Sequence, residues 1–311
     1  MYHSKIIFFI LISFTFLHSP AQKVKIALNL NQDFSWQTEL SSSISFTQEF
    51  MGIIYTTDTK ISNVFNTKVT GTSNSSYNCI ANYSQMEFFM KSLLMDLDMS
   101  SESADTTNPM NIMMRSIVNN DFRQILSKDG TVREIQGLDL LISENLKKIH
   151  LEEEQKEEFK KNFLDSFGEK AIMENNLQNS VLYSDSLVSA GDKWFRSMTI
   201  SPYGIPMHLL LDIKLKEVAN GNAIFITEGM LAARMNSEAN GRSEQTPSYD
   251  LSGSQVSEIK INLKNGIIEK SITTQYIQGK VSAPDNNAQG KYIEIPLKIV
   301  SRSTITSRPV L

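Results

Sequence analysis

Cysteine and histidine are nearly missing from this 311-residue chain, which carries one Cys, at position 79, and four His. A lone Cys rules out an internal disulfide framework, so stability must come from the core. Structural zinc sites recruit several Cys or His, and only His150 and His208 lie beyond the first twenty residues, so zinc chemistry has little to work with. Charge of one sign is also lacking. The net charge of −4 and the 21% charged fraction give no basic stripe for a nucleic-acid partner. No Gly-x-Ser-x-Gly elbow, His-Glu-x-x-His pair or Gly-rich phosphate loop occurs, which removes the common hydrolytic and nucleotide-binding signatures. The reading is therefore non-enzymatic and cofactor-free; acid-pair glycoside hydrolysis alone would leave so faint a trace.

Long apolar runs are absent after the beginning. Lys5 precedes the run Ile6 to Leu17, and Ser19-Pro20-Ala21 follows, the pattern of a secretory signal peptide cut after Ala21. Twelve apolar residues fall short of the roughly 20 that a membrane-spanning helix needs. With no Cys beside the cut, a lipoprotein is not expected. The expectation is an exported chain, periplasmic or extracellular, of 290 residues and net charge −5 with no transmembrane segment.

What is present is mostly strand grammar around one helical block. Val24, Ile26, Leu28 and Leu30 alternate with polar residues, then Ile44, Phe46 and Phe50 do so more softly. Residues 66–82, rich in Asn, Ser and Thr, predict exposed sheet or loop, and Phe88 to Met99 predicts one apolar strand followed by a polar loop at 100–109. Asp129-Gly130, Asn220-Gly221 and Asn265-Gly266 each sit between apolar runs, and such pairs supply the positive φ of tight hairpins. Tyr292 to Ile299 alternates, but Pro296 cannot donate to a ladder, which predicts an edge strand or a bulge. Residues 237–254 predict a mobile connection, and Asp285-Asn286-Asn287 a turn.

The helical block covers 138–182. Leu138, Leu141, Ile142, Leu146 and Ile149 have helical spacing; Phe159, Phe163, Leu164 and Phe167 line one face of a second helix, which Gly168 should end through a left-handed residue. Ala171, Ile172 and Leu177 suggest a third. The acids Glu152, Glu153, Glu154, Glu157 and Glu158 interleave with Lys156, Lys160 and Lys161, as on a solvated helix face. The expected fold is α+β, a mainly antiparallel curved sheet or incomplete barrel with two to three helices inserted mid-chain. One β-rich domain would run from residue 22 to 311, its β halves being 22–137 and 183–311.

Ser127-Lys128-Asp129-Gly130-Thr131-Val132 with Gly137, the helix ending Ser166-Phe167-Gly168, Gly191-Asp192-Lys193-Trp194, Gly253, and Ile259 to Ser271 around Asn265-Gly266 carry a resemblance across most of residues 24–306. The chain resembles an uncharacterised secreted β-rich family common in Bacteroidota, a domain of unknown function for which no catalytic or binding residue is established. By architecture that family is similar to bacterial periplasmic lipid carriers, which wrap an incomplete barrel around helices to make an apolar cavity. The resemblance points by analogy of fold to an apolar ligand and carries over no catalytic or binding residue.

Methionine is the one unusual usage: Met86, Met90, Met95, Met99, Met110, Met113 and Met114 crowd into 29 residues. Thioether side chains fill cores, line pockets for varied apolar ligands, or bind cuprous copper. The expected ligand-binding set is Met86, Met90, Met95, Met110, Met113 and Met114 with Phe159, Phe163 and Phe167. Asp96 and Asp98 read as the polar face of a strand, and no metal site is assigned. The alternative reading is an envelope interaction protein, meeting a protein or glycan through the strands at 66–84 with Tyr77 and Tyr83 exposed. Copper binding is the third.

Overall fold

A computed structural model of the chain describes residues 23–184, 186–235, 248–284 and 292–310. The expected leader, residues 237–247 of the expected mobile connection and the Asp285-Asn286-Asn287 turn lie outside the described residues. The chain in order forms β1 (Val24–Lys25), β2 (Ser35–Phe50), β3 (Ile53–Thr72), β4 (Ser76–Ser92), β5 (Asp96–Ser100), α1 (Pro109–Ile117), β6 (Phe122–Ser127) and β7 (Val132–Gln136). Then come α2 (Leu138–Leu146), α3 (Glu153–Phe167), α4 (Glu169–Ser180), β8 (Leu187–Val188), β9 (Lys193–Ile200), β10 (Met207–Ala219), β11 (Asn222–Met235), β12 (Ser248–Asn262), β13 (Ile268–Pro284) and β14 (Tyr292–Val310).

Twelve strands form one antiparallel sheet in the order β7-β6-β4-β3-β2-β14-β13-β12-β11-β10-β9, with β5 added beside β4, while β1 and β8 pair separately. The sheet is curved and open, with the helical block inserted mid-chain, as expected. Strand β14 joins the two halves, pairing with β13 on one side and β2 on the other. The expectation of an edge strand is corrected at this point. Pairing with β2 begins only at Leu297↔Gln48, so Pro296 faces β13 alone and removes no bond from the β2 ladder.

All three hairpins signalled by Asp-Gly or Asn-Gly are present, β6–β7, β10–β11 and β12–β13. Two expectations fail locally. The Phe88 to Met99 run is two strands, β4 and β5, turned through Leu93–Met95, and residues 248–254 of the expected mobile connection belong to β12. A polar loop runs over 101–108 as expected and leads into α1, which the sequence reading did not place; Asn108 caps it, its side chain accepting from the Met110 amide at 2.9 Å. Gly168 does divide α3 from α4, but with an extended backbone (φ −77°, ψ 178°) instead of a left-handed one. Its smallness matters for space: a Cβ would stand 2.6 Å from the Leu164 carbonyl oxygen.

Two buried clusters lie on one face of the sheet, here the inner face. The first gathers Val69, Tyr77, Cys79, Tyr83 and Met86 of the sheet with Met113, Met114, Ile117, Leu138, Ile142, Phe163 and Phe167 of the helices. The second gathers Leu209, Leu211, Ile213, Leu215, Phe225, Ile259, Ile277 and Ile299 under Val24, Ile26, Leu182, Val188 and Ile205. The expected apolar face of α3 packs as read, with Phe163 ring-to-ring against Phe159 at 6.0 Å and Phe167 at 4.9 Å.

The segment Val24–Leu30 crosses between the clusters, giving Val24 and Ile26 to the second and Leu28 and Leu30 to the first. Its amides also bind two distant turns: Leu28 donates to the Lys128 carbonyl at 3.0 Å and Asn29 to that of Asn265 at 2.9 Å. Those turns join β6–β7 and β12–β13, with the four strands β4, β3, β2 and β14 between them. At a strand spacing of about 4.8 Å a flat sheet would hold them roughly 29 Å apart. Consecutive amides reach only a few ångströms, so the sheet must curl until the turns almost meet. Gly266, with φ 77°, permits the approach, because a Cβ there would collide with the Ala27 carbonyl.

Tyr77 fastens this strap. Its hydroxyl donates to the Leu28 carbonyl at 3.0 Å and accepts from the Leu30 amide at 3.2 Å, with the side chain 3% exposed. Replacing Tyr77 with Phe leaves two buried backbone groups unpaired, at about 1–3 kcal/mol for each. Urea titration of Tyr77→Phe is expected to show a stability loss of that size; an unchanged midpoint would remove the strap from the account.

Candidate functional site: the inner face at the open end

The strap pinches one end of the curled sheet. Topology places the β6–β7, β10–β11 and β12–β13 turns at that end, and the β2–β3 and β4–β5 turns at the other. Helix α4 and the residues after it span the seam between the unpaired edges. Asn176 of α4 accepts from the edge amide of Val132 on β7 at 2.9 Å, and the Trp194 indole of β9 donates to the Val181 carbonyl at 3.4 Å.

Toward the splayed end the inner face changes character. Ile61 of β3 stands opposite Phe88 of β4, and these half-buried residues lean respectively on the second and first cluster. Around them lie half-buried Phe46, Met90 and Leu97, with Met90 opposite Thr59 and Leu97. Phe46 meets the Tyr203 ring edge-on at 5.3 Å. Tyr203 takes a positive φ of 58°, a costly conformation for a bulky residue. Its hydroxyl is held at 3.2 Å by the Gln275 side chain, and burial raises its pKa above the usual tyrosine value.

Deeper in, the face turns polar. Gln275 donates to Gln255 at 2.7 Å, Ser301 to Gln275 at 3.4 Å, Thr273 to Ser257 at 2.9 Å, and Ser42 pairs with Ser303 at 2.8 Å. Two side-chain oxygens here lack protein partners. Asn63 Oδ1 is buried between Leu40 and Met86 in register, and Thr227 Oγ1 borders a small, partly open cavity of about 20 Å³ shared with Gln178, Gln255 and Ser257. That volume suits one water, which would satisfy Thr227. A second, open depression of about 400 Å³ lies on the pinched side between β8 and β9, lined by Ser184, Ser186, Asp192, Lys193, Trp194 and Arg196. Leu187, Val188 and the Trp194 ring complete the lining, which mixes charged, polar and apolar groups.

The residues expected from sequence to bind ligand separate into three groups. Met86, Met113, Met114, Phe163 and Phe167 are fully packed in the first cluster, with Met110 and Phe159 half-buried against it. Met90 lies on the half-open inner face, and Met95 is 49% exposed in the β4–β5 turn. Neither depression described above is lined by any of these residues. Adjacent helix positions point about 100° apart, so Met113 and Met114 diverge and do not form a thioether pair. The alternative reading through exposed Tyr77 and Tyr83 is overturned, since both are buried, at 3% and 2% exposure, and Tyr83 donates to the Phe167 carbonyl. Phe46, Ile61, Phe88, Asn63 and Tyr203 lie outside the expected ligand-binding set; Phe46 and Phe88 read from sequence as strand residues and no more.

Among the described residues no group of three His, Cys, Asp or Glu is placed to hold a metal ion, and no helix is long and apolar enough to cross a membrane. Residues 74–268 match the model of a family described as Family of unknown function (DUF6263). No curated protein matches. Among solved structures the chain is similar to lipovitellin, in a structure concerned with its lipid–protein interactions, at 8% identity and TM-score 0.44, with 90% of this chain covered. It spans a quarter of the length of that lipovitellin chain. The outer membrane protein OprG from Pseudomonas aeruginosa matches at 9% identity and TM-score 0.24, covering 92% of this chain and 98% of its own. A DUF1329 family protein from Desulfovibrio piger matches at 8% and 0.14, covering 87% and 83%. Values this low assign neither ligand nor activity.

Cys79 is buried and makes no nucleophile: desolvation pushes its thiol from 9.0 up to about 12. The unfolded chain releases that proton first, so the stability contributed is intact below pH 9 and is lost as pH rises from 9 toward 12. Between pH 9 and 10 the wild type is expected to lose up to about 1.4 kcal/mol more stability than Cys79→Ala, as read by urea titration. Equal slopes for the two proteins would show the thiolate to be solvated in the fold.

Proposed function

The chain belongs to the family of unknown function DUF6263, and we propose that it is an exported, non-enzymatic binding protein that holds an amphipathic, lipid-like molecule on the inner face at the splayed end of the sheet. The carrying observation is the change at Ile61 and Phe88, where two closed cores stop and apolar side chains stay half-buried between them. Apolar surface left half-open between packed cores suits an apolar guest, because covering it releases water without opening either core. Phe46, Met90 and Leu97 extend that surface. Asn63 adds an unpartnered oxygen deeper on the same strand, which a hydroxyl or amide on the guest, or a water beside it, would satisfy.

This placement keeps Met90 from the expected set and adds Phe46, Ile61 and Phe88; the remaining Met and Phe residues shape the wall behind. Electrostatics plays little part in the reading, since the surface named carries no charged side chain. Specificity would come from width and from Asn63.

Protein expressed with its leader and recovered from the envelope fraction is expected to carry one apolar molecule per chain, detected by mass spectrometry of an organic extract. The emptied protein should bind the fluorescent fatty acid cis-parinaric acid saturably. Ile61→Glu places a charge on the apolar surface and should weaken that binding at least about tenfold, since burying a charge in such surroundings is costly. Phe159→Ala, behind the surface, should leave it within about threefold. An empty extract with no saturable probe binding would sink the proposal.

A further inference from the structure

The splayed end carries a second feature. Six large apolar side chains are exposed on two neighbouring turns: Met51 (82%), Ile53 (52%) and Ile54 (67%) on β2–β3, and Leu93 (74%), Leu94 (85%) and Met95 (49%) on β4–β5. The register Thr57↔Ser92 sets the second turn beside the β2–β3 hairpin, so the six project from neighbouring turns at one end of the sheet, here the tip.

Neither turn needs these residues for its own geometry. Met51 and Gly52 adopt φ 52° and 75°, matching Asn220 and Gly221 of the β10–β11 turn at 52° and 76°. That conformation favours Asn or Gly at its first position and penalises Met. The chain thus uses the expected residue in one turn and, in its twin, a strained and almost fully exposed methionine. In the other turn Ser92 does the fastening. Its hydroxyl accepts from the Leu94 and Met95 amides at 3.3 and 3.1 Å and donates to the Met95 carbonyl at 3.0 Å, which leaves Leu93 and Leu94 without a structural task.

We propose that this tip inserts into the interfacial layer of a phospholipid bilayer, docking the splayed end of the sheet on a membrane. These aliphatic and thioether side chains project from turns already locked by their own hydrogen bonds, and none of them lines either depression described above. A deformable apolar medium is the complement to such side chains. The charges around it narrow the choice of lipid. Exposed Glu49, Asp58 and Asp96 outnumber Lys60 and Lys91, so attraction to anionic headgroups is not the driving term. Docking should therefore proceed on neutral lipid and resist salt.

The inference rests on the turns and not on the ligand reading, and one variant separates the two. The triple substitution Met51→Asn, Leu93→Ser, Leu94→Ser touches exposed turn positions and should leave the unfolding midpoint in place, with Asn easing the strained φ. Sedimentation with neutral phosphatidylcholine vesicles is expected to carry down the wild type, equally at low and high salt. The triple variant should show a partition coefficient at least about tenfold lower, since each large side chain kept from the lipid forfeits roughly tenfold when its burial would be complete. Its binding of cis-parinaric acid in solution should be unchanged. A Leu94→Trp reporter in the wild-type background should shift its emission to the blue on adding vesicles. Absence of vesicle binding, binding equal in the triple variant, or binding that appears only with anionic lipid would overturn the proposal. So would a dimer in vesicle-free solution that the triple substitution disperses, because the tip would then be covered by a second copy.

Discussion

The two hydrogen bonds that the Leu28 and Asn29 amides donate to turns with four strands between them constrain this molecule more than any other described contact. An antiparallel sheet twists and coils by itself, but nothing in that tendency stops a twelve-stranded sheet from splaying or splitting. Here an extended segment fixes the curvature at one end, and it does so with side chains as well as amides. Val24 and Ile26 enter one core, Leu28 and Leu30 the other, and the Tyr77 hydroxyl locks the strap between them. Tyr183 adds a further bond to the Gly266 carbonyl at 2.8 Å, from the stretch that follows α4.

Curling brings the edges β7 and β9 toward each other without pairing them, and a bare edge invites association with other chains. The mid-chain helices answer that problem. Their insertion point, directly after β7, lets α4 present Asn176 to the open ladder of the strand just completed, while the chain leaving α4 reaches β9 through Val181. The helical block is therefore a seal for a seam as well as a core. Both the strap and the seal act near the pinched end, and among the described residues of the far end the β2–β3 turn and the Ser92 bonds hold the local geometry. Half-open apolar surface can persist there because closing the fold does not depend on burying it.

Legibility in the sequence followed how local each cause was. Asp129-Gly130, Asn220-Gly221 and Asn265-Gly266 announced their hairpins because positive φ is a property of the turn itself. The α3 face was readable from Phe159, Phe163 and Phe167 for the same reason. Strand β14 was misplaced because the cost of Pro296 depends on how far β2 reaches, which is a matter of register between residues 250 apart in the chain. Tyr77 and Tyr83 looked exposed inside an Asn-, Ser- and Thr-rich stretch, yet the alternation in Tyr77, Cys79, Ala81 and Tyr83 marks one buried face of β4. Composition outweighed periodicity there, wrongly. Helix α1 went unseen because its signal, Asn108-Pro109 before Met110, Met113, Met114 and Ile117, was absorbed into a count of methionines.

That count joined residues with three different fates. On α1 and in the middle of β4, where helix packs on sheet, methionine fills irregular space in the first core, as its flexible side chain does well. At Met90 the same strand emerges from the core onto the half-open face, and at Met95 and Met51 thioethers stand in solvent on locked turns. A core explanation covers the first group completely and the last not at all, since an exposed methionine in a strained turn contributes nothing to folding that asparagine would not contribute better. Composition could report the excess but not divide it. The division follows one spatial axis, from closed core through half-open face to exposed tip, and this ordering ties the proposed guest surface to the proposed membrane contact: the apolar path runs from the tip inward along β3 and β4 until the two cores meet.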